Sequence, residues 1–444
     1  MQDPQQNNGQ PHWSFTAIAY GLGFSGFNLL LLFLASFGLR FDSRIYTIPY
    51  RIVFLVFAMA FIGIILKKGV MAKLGWLWFP LMTYWILYFL RIYLDGYLLQ
   101  VNLRIDAFVY VQRAIGAAFI PMLIFLKPLT KSENTKVFLA FWTIHLACLL
   151  MAFVLYRDLI ESSYRLAFGG HQNVDAAILL GPIGISYIGV LAIVISIQRA
   201  CLETRHVSKW LFTLAYLGIV LAGMLILLLG ETRSAVISCV VATIIVLLTS
   251  LNSTRTSTKL KIVALAILAG TIMFFSIERY GGGTTRRFQF LLEQIERSDM
   301  AIGGGRRILY QNAIDQFLQS PLLGSGLEEK ISGTYPHNHI IEAFMATGIL
   351  GGLAFIILSS IALYYTYMIL KYDKERGWVG IIFIVYLLRG MFSASIIDAH
   401  LWYSMMAVIA LWLSRKEAQS TDSELEKRRT GISSQKQNLP KYYH

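Results

Sequence analysis

Charged residues are scarce in this chain: lysine, arginine, aspartate and glutamate make up 14% of its 444 residues, whereas hydrophobic residues make up 56%. A soluble domain carries about a quarter charged residues. The mean hydropathy is +0.59, and the apolar runs are too long for an ordinary soluble core. The composition therefore excludes a soluble globular domain and predicts a polytopic membrane protein.

Cysteine is equally rare. Cys148, Cys201 and Cys239 are scattered in or beside apolar runs, which excludes a disulfide framework and a cysteine zinc site. The sequence also lacks a Walker A pattern and a D-x-D metal motif, so we predict neither a cofactor nor a bound metal. A basic segment is missing before the first apolar run, from about Trp13, and we therefore expect a retained anchor in place of a signal peptide.

The apolar runs predict twelve membrane spans, each close to the roughly 20 residues that cross a bilayer. They cover residues 13–36, 46–66, 75–95, 107–126, 136–156, 176–198, 209–229, 234–251, 260–277, 341–370, 378–396 and 401–414. The chain then divides into nine spans (1–277), a loop with short helices (278–340), three further spans (341–414) and a tail (415–444). The tail is polar, and we expect it to be disordered.

Lysine placement predicts the orientation of the spans. Of the sixteen lysines, all but Lys330 fall on one side, and Lys330 lies in the long loop, which the positive-inside rule discounts. Both termini are therefore expected in the cytoplasm, with the loop outside. The net charge of +14 is expected to face anionic headgroups and anionic substrates, and we predict no nucleic-acid partner.

The outer side carries arginine instead of lysine. The arginines are Arg40, Arg44, Arg91, Arg104, Arg157, Arg165, Arg233, Arg279, Arg286, Arg287, Arg297, Arg306 and Arg307. Guanidinium groups match phosphate bidentately, so this set suggests an anionic ligand on the outer side. Any single arginine is better explained by snorkelling to headgroups; this explanation is weaker for the whole set, because snorkelling would use lysine too.

The long outer loop contains two segments with apolar residues at helical spacing, "RRFQFLLEQIERS" and "RILYQNAIDQFLQ", each preceded by a glycine-rich turn. We predict two short helices over the outer mouth of the bundle. Arg306 and Arg307 begin the second helix, where free backbone N–H groups suit an anion. The alternative is a solvated helix start.

Two other short stretches carry candidate chemistry. Arg233 follows Glu231 at the edge of a span, where a charge is costly unless it is paired or used. A surface contact between Glu231 and Arg233 is the alternative.

His337, Asn338 and His339 precede the tenth span, and histidine exchanges protons near neutral pH. Glu342 is the only close third ligand for a zinc site, so a metal is the lesser alternative. Together these residues suggest a diphosphate held beside a general base.

Three motifs occur in order within about residues 160–360. They are Thr232-Arg233-Ser234-Ala235; Gly305-Arg306 with Tyr310 and Pro321-Leu322-Leu323-Gly324-Ser325-Gly326; and His337-Asn338-His339-Ile340-Ile341-Glu342 with Gly348 and Gly351. In this order and spacing the chain resembles the O-antigen ligase and polymerase superfamily of integral-membrane glycosyltransferases. The segment around Arg165 resembles a further family motif, although its proline is missing.

The resemblance implies a GT-C-like, all-α membrane protein of the bacterial inner membrane, with about twelve spans and a large helical periplasmic loop between spans 9 and 10. It implies transfer of a glycan from undecaprenyl diphosphate to a sugar hydroxyl of lipid A–core oligosaccharide, with membrane lipids as the other partners. In having a single large outer loop the chain resembles the ligase branch of the superfamily, because polymerases tend to have two such loops.

The resemblance also implies the roles of individual residues. Arg233 and Arg306 would clamp the diphosphate, and His337 would be the base of an inverting, metal-free displacement. The remaining candidates for substrate contact are Arg165, Arg287, Arg307, Tyr310, Asn338 and His339. His339 is also the weaker candidate for the base, and its alternative role is structural. Asn338 would either orient His337 or cap the following helix.

Three further arginines, Arg51, Arg113 and Arg389, fall within predicted spans. They either line a cavity or lock helices together, and we expect Arg389 to meet Asp398 or His400. Two other functions stay open at this point: a polymerase, and a transporter of lipid-linked glycans. A transporter predicts internal repeats, which the sequence does not display; a channel or scaffold leaves the arginine–histidine set without a use.

Overall fold

The computed structural model describes residues 15–37, 43–67, 70–161, 180–202, 209–230, 232–251 and 306–415. Within these ranges the chain is helical and contains no strand. The predicted span at 260–277, the first loop helix, the tail, Arg165, Glu231 and Arg287 lie outside the described residues. The prediction of a polytopic α-helical membrane protein is confirmed for the part that is described.

Twelve helices are labelled here in chain order. They are α1 (Phe15–Ser36), α2 (Ser43–Lys67), α3 (Leu74–Leu98), α4 (Ala107–Leu126), α5 (Lys131–Glu161), α6 (Pro182–Leu202), α7 (Lys209–Leu229), α8 (Arg233–Leu251), α9 (Arg306–Gln319), α10 (His339–Tyr372), α11 (Gly377–Phe392) and α12 (399–415). Each predicted span in the described ranges coincides with a helix. α9 is the second helix predicted for the long loop.

Six of these helices, α1, α3, α4, α5, α6 and α10, are long and apolar enough to cross a membrane. Shorter apolar stretches occur at Ile48–Gly63, Leu214–Leu229 and Arg233–Thr249. The total of twelve spans, and the place of the loop between the ninth and tenth, stay predictions.

Large aromatic side chains fill the core between the helices. Trp85 of α3 and Trp402 of α12 are fully buried, with ring centroids 4.8 Å apart. Trp378 is also buried and donates a hydrogen bond from its indole nitrogen to Asn134 Oδ1 (3.0 Å). Each aromatic side chain buries a large apolar area and makes a specific contact with another ring. These contacts fix how the helices meet.

Residues predicted on one side of the membrane contact each other in the structure. At the lysine-rich end, Gln198 donates to the carbonyl of Lys374 (2.8 Å) and Arg376 donates to that of Leu129 (2.7 Å). At the opposite, lysine-poor end, the Tyr110 hydroxyl donates to Glu328 (2.9 Å). The two ends of the bundle are therefore distinct, and the candidate site residues lie at the lysine-poor end.

Candidate active site

Asn338 begins α10 as its N-cap. Its Oδ1 accepts from the backbone nitrogens of Ile340 (3.0 Å) and Ile341 (3.2 Å), which satisfies two of the free N–H groups at the helix start. Its Nδ2 donates to the carbonyl of Met391 at the end of α11 (3.3 Å). Of the two roles considered for Asn338, the contacts therefore place it as a cap that also ties α10 to α11.

His339 and Glu342 hold the turn between α11 and α12. His339 has 0% exposure, and its Nε2 is 2.8 Å from the carbonyl oxygen of Ser395. Glu342, with 1% exposure, accepts from the Ser395 hydroxyl (2.6 Å) and from the Ile396 nitrogen (2.9 Å). Both side chains form hydrogen bonds to one turn, which we call the 393–398 turn.

His337, the residue before the Asn338 cap, is only half-buried. Its φ of +56° belongs to the left-handed region, which non-glycine residues seldom adopt. Its ring packs on Tyr335, with centroids 4.4 Å apart, and its Nδ1 has no hydrogen-bond partner among the described residues. Strained backbone conformations concentrate at functional sites, where the surroundings enforce them.

The surroundings keep His337 neutral. Burial and then the positive charge of Arg306 lower the pKa of His337 below its ordinary value of 6.5, with a smaller contribution from Arg104. A hydrogen bond to the backbone of Ser393 acts in the opposite direction. An imidazole that is neutral at pH 7 can accept a proton, as a general base requires.

Arg306 is the first residue of α9, and Arg307 next to it is exposed. Tyr310, one turn further along, links this helix to the cap of α10 by a side-chain hydrogen bond with Asn338. Burial raises the pKa of the Tyr310 hydroxyl, whereas Arg306 and Asn338 lower it to a smaller extent. The start of α9 is thus held beside residues 335–338, which we call the His337 segment.

Arg233 reaches the same place from another part of the chain. It is the first residue of α8, and the following Ser234 hydroxyl lies 2.7 Å from the hydroxyl of Ser393. Ser393 is also the residue whose backbone bonds His337. The starts of α8 and α10 therefore lie at the 393–398 turn, and α9 lies near them through Tyr310 and Arg306, so that the three motifs of the sequence are close together.

The loop between α9 and the His337 segment is clamped by Arg91 of α3. Its guanidinium donates to the carbonyl oxygens of Ala346 (3.1 Å), Leu323 (2.8 Å) and Gly324, and pairs with Asp95 (3.1 Å). With 6% exposure, Arg91 neither snorkels nor faces solvent. A buried guanidinium is stable only when its donors are satisfied in this way.

Two glycines make this loop possible. Gly324 (φ +73°) and Gly348 (φ +67°) lie back to back, so that a Cβ on Gly348 would come within 2.2 Å of the Leu322 carbonyl oxygen. Gly348 also breaks the direction of α10, because its ψ of −166° is not helical. The close backbone approach and the positive φ both require glycine.

A cavity of about 400 Å³ lies next to this convergence. Its lining includes Tyr335 and Ser393, and also Arg51, Arg113 and Arg389. Of the two roles left open for these span arginines, the structure therefore places all three at a cavity. Their separate positions in three helices gave no sequence signal beyond the cost of each buried charge.

Arg389 pairs with Asp398 at 3.5 Å, which confirms the prediction made for this arginine. Burial alone would raise the pKa of Asp398, but Arg389 and His400 lower it well below its usual range. Arg389, Asp398 and His400 also line a second cavity of about 350 Å³, which contains His145. Arg389, Asp398 and His400 therefore lie between two adjoining cavities.

No group of three histidine, cysteine or acidic side chains in the described ranges could hold a metal ion. The zinc alternative required His337, His339 and Glu342 to face one point. In the structure His339 and Glu342 bond Ser395 and Ile396 of the 393–398 turn, whereas the His337 ring packs on Tyr335 and bonds the backbone of Ser393. The three side chains do not form a common ligand set.

Comparison with known proteins identifies the region that carries these motifs. No curated protein matches the chain. Residues 217–356 match a family described as O-antigen ligase. The matched range contains Arg233, Arg306 and His337, whose surroundings have just been described. This match supports the resemblance to the O-antigen ligase and polymerase superfamily that the motifs predicted.

Proposed function

We propose that this protein is an O-antigen ligase: it transfers a glycan from undecaprenyl diphosphate to a sugar hydroxyl of lipid A–core oligosaccharide. The observation that carries the proposal is that Arg306, at the start of α9, lies close enough to His337 to lower its pKa, while Ser234, next to Arg233, bonds the Ser393 hydroxyl at the turn that bonds His337. A neutral histidine near a helix N-terminus and its guanidinium group suits a reaction whose leaving group is a diphosphate.

The proposed reaction is a single displacement with inversion. His337 takes the proton of the acceptor hydroxyl, and that oxygen forms a bond to the anomeric carbon of the donor. The bond from this carbon to the diphosphate oxygen breaks, and its electron pair leaves with undecaprenyl diphosphate. Protonated His337 then returns its proton to solvent. Each step uses protein groups alone, and metal independence is part of the proposal.

Arg233 and Arg306 would stabilise the negative charge that grows on the diphosphate as it leaves. Guanidinium groups bind phosphate oxygens through paired hydrogen bonds, and Arg306 adds the free N–H groups of the α9 N-terminus. Arg307 and Arg287 are assigned as auxiliary phosphate contacts, and Arg165 as a further substrate contact. Tyr310, Asn338 and His339 are assigned to support of the arginine and histidine, since Tyr310 bonds Asn338, Asn338 Nδ2 donates to the Met391 carbonyl, and His339 Nε2 bonds the Ser395 carbonyl.

The lysine distribution supports a place in the bacterial inner membrane with both termini in the cytoplasm and the site facing the periplasm. Cysteine labelling tests this orientation. Ile331, 81% exposed, lies at the site end, and Tyr372, 50% exposed, lies at the lysine-rich end. An impermeant maleimide applied to intact spheroplasts should label Ile331→Cys and spare Tyr372→Cys; the reverse pattern would invert the proposed topology.

The reaction itself is tested with purified protein, synthetic undecaprenyl-diphosphate glycan and lipid A–core. We expect product from the wild type and none above background from His337→Ala. Extension of the donor glycan without use of lipid A–core would identify a polymerase instead. Transfer of intact donor across liposomes without either product would identify a transporter. Activity lost to a chelator and restored by a metal would refute the metal-free mechanism.

A further inference from the structure

The cavity next to His337, which we call the arginine cavity, combines three cations with few anions. Arg51 comes from α2, Arg113 from α4 and Arg389 from α11, and all three are on its wall. Asp398 is the only carboxylate among the described residues that line it. Since Asp398 pairs with Arg389, the described wall carries two positive charges without a matching carboxylate.

The contacts of the other two arginines are weak. Arg51 meets the neutral side chain of Gln112 at 3.5 Å, the outer limit of a hydrogen bond. The Nε of Arg113 is buried and has no hydrogen-bond partner in the described ranges. Buried donors are nearly always satisfied, so a donor without a protein partner at a cavity wall is open to a polar ligand or to water. Charges within membrane segments likewise indicate function by default.

The remaining wall suits a sugar. Tyr50, Phe54, Tyr335 and Tyr403 contribute aromatic surface, as is usual in pockets that bind small polar molecules through a few placed charges. Part of the wall comes from π-helical turns at Leu22–Gly26 and Gln112–Phe119. Such turns are rare and frequently mark functional sites. Its volume of about 400 Å³ lies within the range of ligand pockets.

The cavity is adjacent to the proposed base. Tyr335 lines it and packs on His337 (4.4 Å between centroids), and Ser393 lines it and bonds Ser234. A molecule in the cavity would therefore lie near the reacting sugar, whereas Arg306 at the start of α9 is not part of the wall.

We propose that the arginine cavity binds a sugar unit bearing a carboxylate or phosphate group, at a site separate from the diphosphate site at Arg306. The anion is held by Arg51 and Arg113, and the aromatic wall packs on the ring. The assignment of this sugar to the glycan substrates rests on the proposed function; the binding site itself does not.

The test is equilibrium binding to purified full-length protein in detergent, measured by calorimetry with three probes. Cellobiouronic acid carries a carboxylate, cellobiose is its neutral counterpart, and geranyl diphosphate reports the diphosphate site. We expect the wild type to bind cellobiouronic acid about tenfold more tightly than cellobiose. Arg113→Gln should bind cellobiouronic acid about tenfold more weakly than the wild type does. Arg51→Gln, in a different helix, should lose a similar factor in affinity and replaces Arg113→Gln if that variant does not fold.

Two controls separate the sites. Arg199→Gln removes an arginine at the lysine-rich end and should leave cellobiouronic acid binding unchanged. Arg306→Gln should weaken geranyl diphosphate binding and spare cellobiouronic acid. Equal binding of the acidic and neutral disaccharides, or no binding of either, would overturn the proposal. So would an equal loss of both anionic probes in Arg113→Gln, which would make the cavity the diphosphate site.

Binding is measured without turnover, so the two proposals fail independently. A protein that binds cellobiouronic acid through Arg113 but produces no ligated glycan would refute the ligase alone. A protein that ligates but shows no preference for the acidic disaccharide would refute the arginine cavity as an anion site alone.

Discussion

Replacing Gly348 by alanine should disturb the site without touching any residue assigned to chemistry. At φ +67° and ψ −166° the backbone occupies a region that is essentially restricted to glycine, and alanine there costs about 1–3 kcal/mol. The added Cβ would lie 2.2 Å from the Leu322 carbonyl oxygen, whereas real contacts are not shorter than 3.0 Å, so the loop must move by at least 0.8 Å. Such overpacking costs about 1–3 kcal/mol more.

The displaced loop joins α9 to the His337 segment, so the change should reach the reaction as well. A misplacement of 1 Å costs on the order of 100-fold in rate when it separates a catalytic pair. We therefore expect Gly348→Ala to lower ligation by one to two orders of magnitude. The total destabilisation, about 2–6 kcal/mol, should appear as a lower unfolding temperature in detergent.

Gly333→Ala is the matched control. Gly333 also has a positive φ, of +62°, but an added Cβ would meet no atom within 4 Å. Only the backbone cost of about 1–2 kcal/mol applies there, and transfer should stay near the wild-type rate. If the two variants unfold at the same temperature and ligate equally well, the contact between Gly348 and Leu322 does not position the site, and this reasoning is wrong.

Three further predictions concern the residues around this loop. The ligation rate should rise with pH through a value below 6.5 and then level off, because His337 must be neutral to accept a proton. Arg306→Gln removes one cause of the lowered pKa of His337, so the acid limb of the pH–rate profile should move to higher pH. His339→Ala should lower the unfolding temperature through a loss of about 1–3 kcal/mol and retain the pH profile, which a catalytic base would not. Arg91→Met should cost about 3–5 kcal/mol, because it leaves Asp95 buried without its partner; unchanged thermal unfolding would show that the clamp is dispensable.

The helices could be predicted from sequence because each carries a continuous apolar run, and lysine placement separated the two ends of the bundle. The cap at Asn338 was one of two roles open to that residue, since an asparagine before an apolar run is a usual helix start. Motif order also indicated that Arg233, Arg306 and His337 belong together. These signals are local or compositional, and neither kind depends on how the helices pack.

The features that sequence did not reveal depend on contacts between distant residues. Arg91 was counted among the outer arginines that could face a ligand, yet it binds the backbone at Leu323 and Ala346, more than two hundred positions away. The break at Gly348 lies inside an uninterrupted apolar run, so hydropathy gave no sign of it. The arginine cavity takes one cation from each of three helices, and only their packing brings the charges together.

The structure also gives a physical reason for the co-occurrence of two glycine motifs. Pro321-Leu322-Leu323-Gly324-Ser325-Gly326 lies between the arginine helix α9 and His337, and the second motif, starting at Gly348, lies beyond the cap of α10. Gly324 and Gly348 meet through their backbones, so neither motif can hold the loop without the other. The distance between Arg306 and His337 is then set by a contact between glycines that have no role in the proposed reaction. Exchange of either glycine should therefore alter catalysis as surely as a change at Arg306.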